Sequence, residues 1–120
     1  MTDSIEKVSI LFADIAGFTQ YSSNVSPENV VTMLKKLFTE FDKLCLKHKV
    51  FKLYTIGDCY VVIGFLNARS RNPLQEARNV VKMGFSMIES IKAIRELIDF
   101  TTLNMRIGIH TVFYFFIEIS

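Results

Sequence analysis

The apolar positions of the chain fall into two kinds of pattern, short runs of strand length and longer stretches with helical spacing. Residues 8–15 form an apolar run that ends before Gly17, which is typical of a strand buried on both faces. Residues 50–55 and 60–66 are two further runs around a short turn, and this arrangement indicates a β-hairpin. Residues 104–111 form a fourth run. The pattern therefore predicts four strands, of which the first is central.

Two stretches between these runs have apolar residues at helical spacing. The first follows Ser26-Pro27 and ends near His48; serine can cap the first amides, and proline fits the first helical turn. The second helix follows Asn72-Pro73. Its apolar positions at this spacing are Leu74, Ala77, Val81, Met87, Ile88, Ile91 and Leu97.

The resulting order of elements, βαββαβ, predicts an α+β fold with a ferredoxin-like sheet and helices on one face. In that topology strand one runs parallel to the strand before the hairpin, with an antiparallel strand between them. The end of strand one and the hairpin turn then lie at the same edge of the sheet. Asp14 and Asp58, which are far apart in sequence, are therefore predicted to share a site.

Composition and charge set broad limits on the class of protein. The chain has 120 residues, 50% of them apolar, which is enough for one domain with a sizeable core. A net charge of +2 without a long basic block does not favour a nucleic-acid partner. Two cysteines are too few for a disulfide scaffold, so we expect reduced thiols in an intracellular protein. No stretch reaches the roughly 20 apolar residues of a membrane helix, so a membrane connection would come only through parts outside this chain.

Two carboxylates beside glycines at one sheet edge suggest nucleotide chemistry with divalent cations. Each acid alone has a simpler interpretation: Asp14 as a turn former at a strand end, and Asp58 as a residue that stabilises its own hairpin. Together, two unneutralised carboxylates at one place repel each other, which favours a bound cation.

Three segments resemble the class III nucleotide cyclases, the family of adenylyl and guanylyl cyclases. The segments are LFADIAGFT, YTIGDCYVV and LNMRIGIHT, in family order, and the resemblance covers residues 8–111. It implies a catalytic domain that pairs head to tail with a second one, either a complementary half or another copy, with active sites at the dimer interface. The chain resembles the half that supplies the metal ligands, and it is most similar to the guanylyl cyclases of protists.

The resemblance also implies roles for individual residues. Asp14 and Asp58 would hold two Mg²⁺ or Mn²⁺ ions, with the backbone carbonyl of Ile15 as a further ligand. The ribose 3′-hydroxyl of GTP, or of ATP, would attack the α-phosphate and expel pyrophosphate. The residues implied to contact nucleotide or phosphate are Ala16, Gly17, Phe18, Thr19, Ile56, Gly57 and Arg106. Arg106 has the alternative of an outward-facing strand residue.

Two features depart from the family pattern. Before Thr55-Ile56-Gly57 the family tends to carry lysine in adenylyl and glutamate in guanylyl base pockets, whereas this chain has Tyr54, so base selection is expected from a partner half. After RIGIHT the family's glycine-rich continuation is replaced by an apolar segment. We therefore expect a partial cyclase domain over residues 1–111 and an atypical tail over residues 112–120, exposed or paired with another chain.

The function expected from the sequence is part of a guanylyl cyclase domain that converts GTP to cyclic GMP and pyrophosphate, inactive alone, on the cytoplasmic side of a cell as a free protein or within a larger membrane protein. Three alternatives remain open: an adenylyl cyclase half that uses ATP, a fragment that binds nucleotide or a cyclase partner without turnover, and a palm-like domain of another nucleotidyl transferase family. The motifs GFT and IGDCY together argue against the last.

Overall fold

The fold is an α+β arrangement of one sheet and three helices, seen in a computed structural model that describes the backbone of residues 2–118 and the side chains of residues 5–115. The elements in chain order are β1 (Thr2–Ala16), α1 (Phe18–Asn24), α2 (Pro27–His48), β2 (Phe51–Ile56), β3 (Cys59–Ile63), α3 (Pro73–Ile98) and β4 (Asn104–Glu118). The strands form one sheet in the order β2-β3-β1-β4, and every neighbouring pair is antiparallel. The predicted α+β class, the ferredoxin-like order and the central position of β1 are confirmed.

The main core lies between the sheet and the long helices α2 and α3. Its fully buried side chains include Leu11, Ile15, Leu37, Phe41, Tyr60, Met83, Met87 and Ile91. A smaller apolar cluster of Val8, Ile10, Val61, Ile63 and Phe65 forms separately. Because side chains alternate along a strand, β1 contributes residues to both clusters, which is why its sequence is almost continuously apolar.

The long helices begin where the sequence predicted. The hydroxyl of Ser26 accepts a hydrogen bond from the amide of Asn29 at 3.2 Å, and the side chain of Asn72 accepts one from the amide of Gln75 at 3.2 Å. Each cap therefore satisfies one amide that has no partner within the helix. In the described part of the chain, no helix is both long and apolar enough to cross a membrane.

The predicted helix is confirmed as α3, but only part of its apolar pattern is buried. Leu74, Val81 and Leu97 are exposed, at 63%, 42% and 69%. The residues that face the core are Val80, Met83, Gly84, Met87, Ile91 and Ile94. A Cβ at position 84 would lie 3.4 Å from the Ile107 side chain and 3.5 Å from that of Leu11, so the helix approaches the sheet closely on the side where glycine stands.

The neighbouring strands β1 and β4 are longer than predicted. Their backbones pair continuously from Ala16 with Asn104 to Thr2 with Glu118, apart from one gap at Lys7, which has a φ of 54°. The extended parts of β1 and β4 provide backbone hydrogen-bond partners for each other. The tail was expected to be exposed or paired with another chain; up to Glu118 its backbone instead pairs with β1, while Phe113 remains 72% exposed. Residues 119 and 120 lie outside the described residues, and the boundary at residue 111 stays a prediction.

Helix α1 was not predicted. Its sequence, FTQYSSN, contains mostly residues with modest helix propensity. Tyr21 is nevertheless buried, and its ring packs edge-on against that of Phe100 with the centroids 5.0 Å apart. Tertiary packing therefore stabilises a helix that the local sequence does not announce.

The predicted hairpin is confirmed, with slightly different bounds. Ile56 pairs with Cys59, so Gly57 and Asp58 are the two residues of the turn. The strand β3 ends at Ile63, three residues earlier than the end predicted at residue 66. The chain leaves the sheet there, after the amide of Gly64 donates a hydrogen bond to the carbonyl of Ser9 at 2.9 Å.

Candidate functional site

Asp14 lies near the end of β1 and directly opposite Arg106 of β4. The Nε of Arg106 donates a hydrogen bond to Oδ1 of Asp14 at 2.9 Å, and its Nη2 donates to Oδ2 at 3.3 Å. The two side chains are 71% and 40% exposed for arginine and aspartate respectively. The Asp14 carboxylate raises the pKa of Arg106, chiefly through these hydrogen bonds, so the guanidinium stays charged beside it.

Asp58 reaches the same end of the sheet from the hairpin turn. Gly57 precedes it with a φ of 57°, a conformation that glycine adopts without steric cost. The carboxylate oxygen Oδ2 of Asp58 accepts a hydrogen bond from the backbone amide of Ile15 at 3.3 Å. The two acids predicted at one sheet edge therefore meet at the end of β1. Asp14 is itself a residue of β1, and Asp58 is hydrogen-bonded to the next residue, Ile15.

The backbone of Ile15 completes a group of oxygen donors. In an antiparallel strand the N–H and C=O of one residue point to the same side. Because the amide of Ile15 points to Asp58, its carbonyl oxygen also points to the hairpin side of β1. The register between β1 and β3 ends at the pair Ala13 and Tyr60, so no residue of β3 itself pairs with Ile15.

The chemical type of these oxygen ligands suits a hard divalent cation. Carboxylate and carbonyl oxygens are the ligands that Mg²⁺ prefers, and Mg²⁺ usually keeps water and phosphate oxygens as the remainder. Asp14 already holds a positive group, the guanidinium of Arg106, at hydrogen-bond distance. Within the described residues no group of three or more His, Cys, Asp or Glu side chains is placed to hold a metal.

Gly17 forms the turn between β1 and α1. Its φ is 83°, and a Cβ at this position would stand 3.2 Å from the carbonyl oxygen of Thr102, so both conformation and space require glycine. Its carbonyl accepts the first helical hydrogen bond, from Tyr21 at 3.0 Å. The amides of Phe18 and Thr19 fall in the first helical turn, where amides have no acceptor within the helix.

The remaining predicted contact residues lie at this same end of the fold. Ala16 is the last residue of β1 and pairs with Asn104 of β4. Ile56 is the last residue of β2, immediately before the turn, and is 68% exposed. The structure thus brings the whole set predicted from the sequence to one end of the sheet.

A shallow cavity of about 320 Å³ lies beside Asp14 on the face of the sheet formed by β3, β1 and β4. Its lining includes Phe12, Cys59, Arg106 and Gly108. Phe12 is 44% exposed although it sits within the apolar run of β1. Burial raises the pKa of the Cys59 thiol, and the charges of Asp14 and Asp58 raise it further. Phe12 and Gly108 were not predicted from the sequence. The almost continuous apolar pattern of β1 gives no indication of the exposed sheet face on which these two residues pair.

Tyr54 is 43% exposed in β2 and pairs with Val61 of β3. An irregularity between Lys52 and Tyr54 shifts the register at this point. The phenol, a neutral group with no resolved hydrogen bond to another described side chain, therefore stands on an accessible surface. It carries neither of the charges that the family uses there to select a purine.

Comparison with known proteins places the chain among relatives of both substrate classes. It is 42% identical over 108 residues to guanylate cyclase alpha of Plasmodium falciparum and 44% identical over 109 residues to a guanylate cyclase of Toxoplasma gondii, in each case over 88% of this chain. It is also 42% identical over 112 residues to adenylate cyclase type 9 of Xenopus laevis, over 89% of this chain. The chain spans only 3%, 2% and 8% of the lengths of these relatives.

Solved structures give the same fold. The adenylyl cyclase CyaB of P. aeruginosa superimposes with a TM-score of 0.84 at 24% identity, over 98% of this chain and 68% of that one. The guanylate cyclase domain of RhGC from Catenaria anguillulae, solved in complex with GTP, superimposes with a TM-score of 0.78 at 26% identity, over 97% and 68%. A dimeric guanylyl cyclase domain of the RhoGC fusion protein from Blastocladiella emersonii gives a TM-score of 0.80 at 27% identity, over 97% and 69%.

The profile of one family, described as "Adenylate and Guanylate cyclase catalytic domain", matches residues 1–114. This match covers nearly the whole chain and agrees with the fold, with the relatives and with the resemblance carried by the three sequence motifs. The palm-like domain of a different nucleotidyl transferase family is thereby set aside. The chain belongs to the adenylate and guanylate cyclase catalytic domain family.

Proposed function

We propose that this chain provides the metal-binding part of a guanylyl cyclase site, which forms cyclic GMP and pyrophosphate from GTP together with a second cyclase domain. One observation carries the proposal: the two-residue hairpin turn delivers the carboxylate of Asp58 to the amide of Ile15, next to Asp14. Two carboxylates and a backbone carbonyl at one sheet end match the ligand chemistry of Mg²⁺ or Mn²⁺.

Asp14, Asp58 and the carbonyl of Ile15 would hold two such ions. When bound, the ions would make the ribose 3′-hydroxyl a better nucleophile and neutralise the charge of the phosphates. The protein residues orient the substrate for in-line attack on the α-phosphate. The turn at Gly17 presents backbone amides near the phosphates, and the guanidinium of Arg106 suits two-point contact with phosphate oxygens.

GTP is proposed ahead of ATP because the chain resembles guanylyl cyclases of protists and two such relatives are 42% and 44% identical. An adenylate cyclase at 42% identity shows that overall identity does not decide the base. Tyr54 carries neither the lysine nor the glutamate of the family base pockets, so the base would be selected largely by the second domain. A complementary domain or a second copy of this chain would supply that pocket and the transition-state residues.

The proposal is tested by assaying product from GTP and from ATP with Mn²⁺, with and without a cyclase domain that carries the base pocket but lacks the metal aspartates. Cyclic GMP is expected only from the mixture, and Asp58→Asn should abolish it. Cyclic AMP as the sole product would overturn the choice of GTP but leave a cyclase. Bound nucleotide and metal with no product in any mixture would instead identify a binding module.

A further inference from the structure

The guanidinium of Arg106 occupies both oxygens of the Asp14 carboxylate. Nε and Nη2 each donate one hydrogen bond, at 2.9 and 3.3 Å, one to each oxygen. A divalent cation bound by Asp14 would use at least one of the same two oxygens and would lie close to the positive guanidinium, which repels it. The cation and this two-point arginine contact therefore compete for one carboxylate.

The Arg106–Asp14 contact lies at an exposed position where a ligand can displace it. Both side chains are substantially exposed, and exposed ion pairs in water are weak because solvent competes for both charges. Among the described residues, the guanidinium of Arg106 hydrogen-bonds only to Asp14. The cavity beside it has Gly108 on its wall, and a Cβ there would meet nothing within 4 Å, so the arginine has room to turn away from Asp14.

Asp58 is bound differently, although it lies at the same end of the sheet. Its carboxylate accepts a hydrogen bond from the backbone amide of Ile15, and its influence on Arg106 is through space only. Within the described residues, Asp14 has a cationic hydrogen-bond partner and Asp58 does not. This difference offers a comparison in which two substitutions remove the same charge from nearly the same place.

We propose that Arg106 competes with the metal for Asp14. Arg106 leaves Asp14 to bind the phosphates of a nucleoside triphosphate, and the Asp14 carboxylate then becomes available to the metal. The inference rests on the proposed function, since it assumes that phosphate and metal bind at this sheet end. Because coupling between two ligands is reciprocal, the metal also frees Arg106 for the phosphates. Before ligands bind, Arg106 neutralises the charge of Asp14. Once one ligand has displaced this contact, metal and nucleotide each favour binding of the other.

The first test measures Mn²⁺ affinity without nucleotide, by titration calorimetry, for the unchanged chain and for Arg106→Gln. Removing the competitor should tighten Mn²⁺ binding roughly 3- to 10-fold, the range expected when one exposed charged contact is lost. Arg69→Gln is the matched control, since it removes the same charge from an exposed loop position and should leave the affinity unchanged. Equal Mn²⁺ affinities for the unchanged chain and Arg106→Gln would overturn the exchange but leave the metal site. Absence of Mn²⁺ binding in every variant would overturn the metal site and the proposed function with it.

The second test separates exchange from simple charge repulsion. Fluorescence anisotropy measures the affinity of N-methylanthraniloyl-GTP in EDTA for Asp14→Asn and Asp58→Asn, each with Arg106 and with Arg106→Gln. If Arg106 is released from Asp14, Asp14→Asn should tighten nucleotide binding at least about threefold more than Asp58→Asn, and Arg106→Gln should remove that excess. Equal gains from the two substitutions, or a gain that survives Arg106→Gln, would mean that charge alone acts and would overturn the proposal.

Discussion

Two arginine–carboxylate pairs contact β1, one at Glu6 and Lys7 within the strand and one at Asp14 near its C-terminal end, and they differ in burial and in the number of their partners. Near Lys7, Arg71 donates to both oxygens of Glu76 at 2.8 and 2.7 Å, and to the carbonyls of Glu6 and Lys7 at 3.0 Å each. Its side chain is 15% exposed and that of Glu76 is 9% exposed. Near the C-terminal end of β1, Arg106 pairs with Asp14 at an exposed position. Within the described residues its side chain makes no further hydrogen bond.

Burial and additional partners decide whether such a pair stabilises the fold or can be exchanged. Arg71 also lies over the ring of Phe65, 4.9 Å from its centroid, and Glu76 accepts a further hydrogen bond from the amide of Asn72 at 3.1 Å. Every charge there is satisfied within the protein, so the pair fastens the connection between β3 and α3 to β1. An exposed pair with one partner is available for exchange with ligands.

The largest effect is expected from breaking the buried pair. Arg71→Ala leaves the Glu76 carboxylate buried without its partner and should lower the free energy of unfolding by about 3 kcal/mol or more. Urea denaturation measures this loss. Arg106→Ala is the matched control and should leave the denaturation midpoint unchanged. Equal losses for the two alanine variants would remove the distinction between a structural pair and an exchangeable one.

A smaller effect is expected from the two glycine turns at the site end, which differ in the space around them. Gly17→Ala combines a left-handed φ of 83° with a contact of 3.2 Å to the Thr102 carbonyl and should cost about 2 kcal/mol. Gly57→Ala has a φ of 57° and open space, so only the conformational cost of about 1 kcal/mol remains. Thermal unfolding of both variants ranks them; the reverse ranking would show that the turn at Gly17 yields more easily than its contacts indicate.

The smallest effect is expected at the end of α3, in the connection that leads to Thr102. Asp99 terminates α3 with a left-handed φ of 53°, so Asp99→Gly should stabilise the chain by about 0.5 kcal/mol. Lys49→Gly at the end of α2, with a φ of 58°, serves as the control away from the site. Similar gains at both caps are predicted from denaturation midpoints. A loss at Asp99 alone would reveal a role of its carboxylate at the site end.

The sequence predicted those features that local patterns encode. The helix starts at Ser26 and Asn72 and the hairpin around Gly57 and Asp58 all follow from residue types at fixed offsets, and all are confirmed. Together with the βαββαβ order, they were sufficient to predict that Asp14 and Asp58 lie at one end of the sheet.

What the sequence did not predict depends on contacts between distant residues. The pairing of Arg71 with Glu76 was not predicted, because nothing in the local sequence indicates that Phe65 and β1 lie against them. The pairing of Arg106 with Asp14, 92 positions apart, depends on the exact register of β4 on β1. Helix α1 and the extension of β1 were missed for the same reason: each is held by a partner that the local sequence does not contain.

The candidate site requires that Asp14 and Asp58 bind one set of divalent cations. Titration calorimetry with Mn²⁺ should show that Asp14→Asn and Asp58→Asn each weaken binding by about tenfold or more, since each removes one of only two acidic ligands. Glu40→Gln, which removes an exposed carboxylate of α2 paired with Lys43, should bind Mn²⁺ as the unchanged chain does. Unchanged Mn²⁺ affinity in Asp58→Asn would contradict the account, because the acid that the hairpin brings to β1 would then have no part in the site.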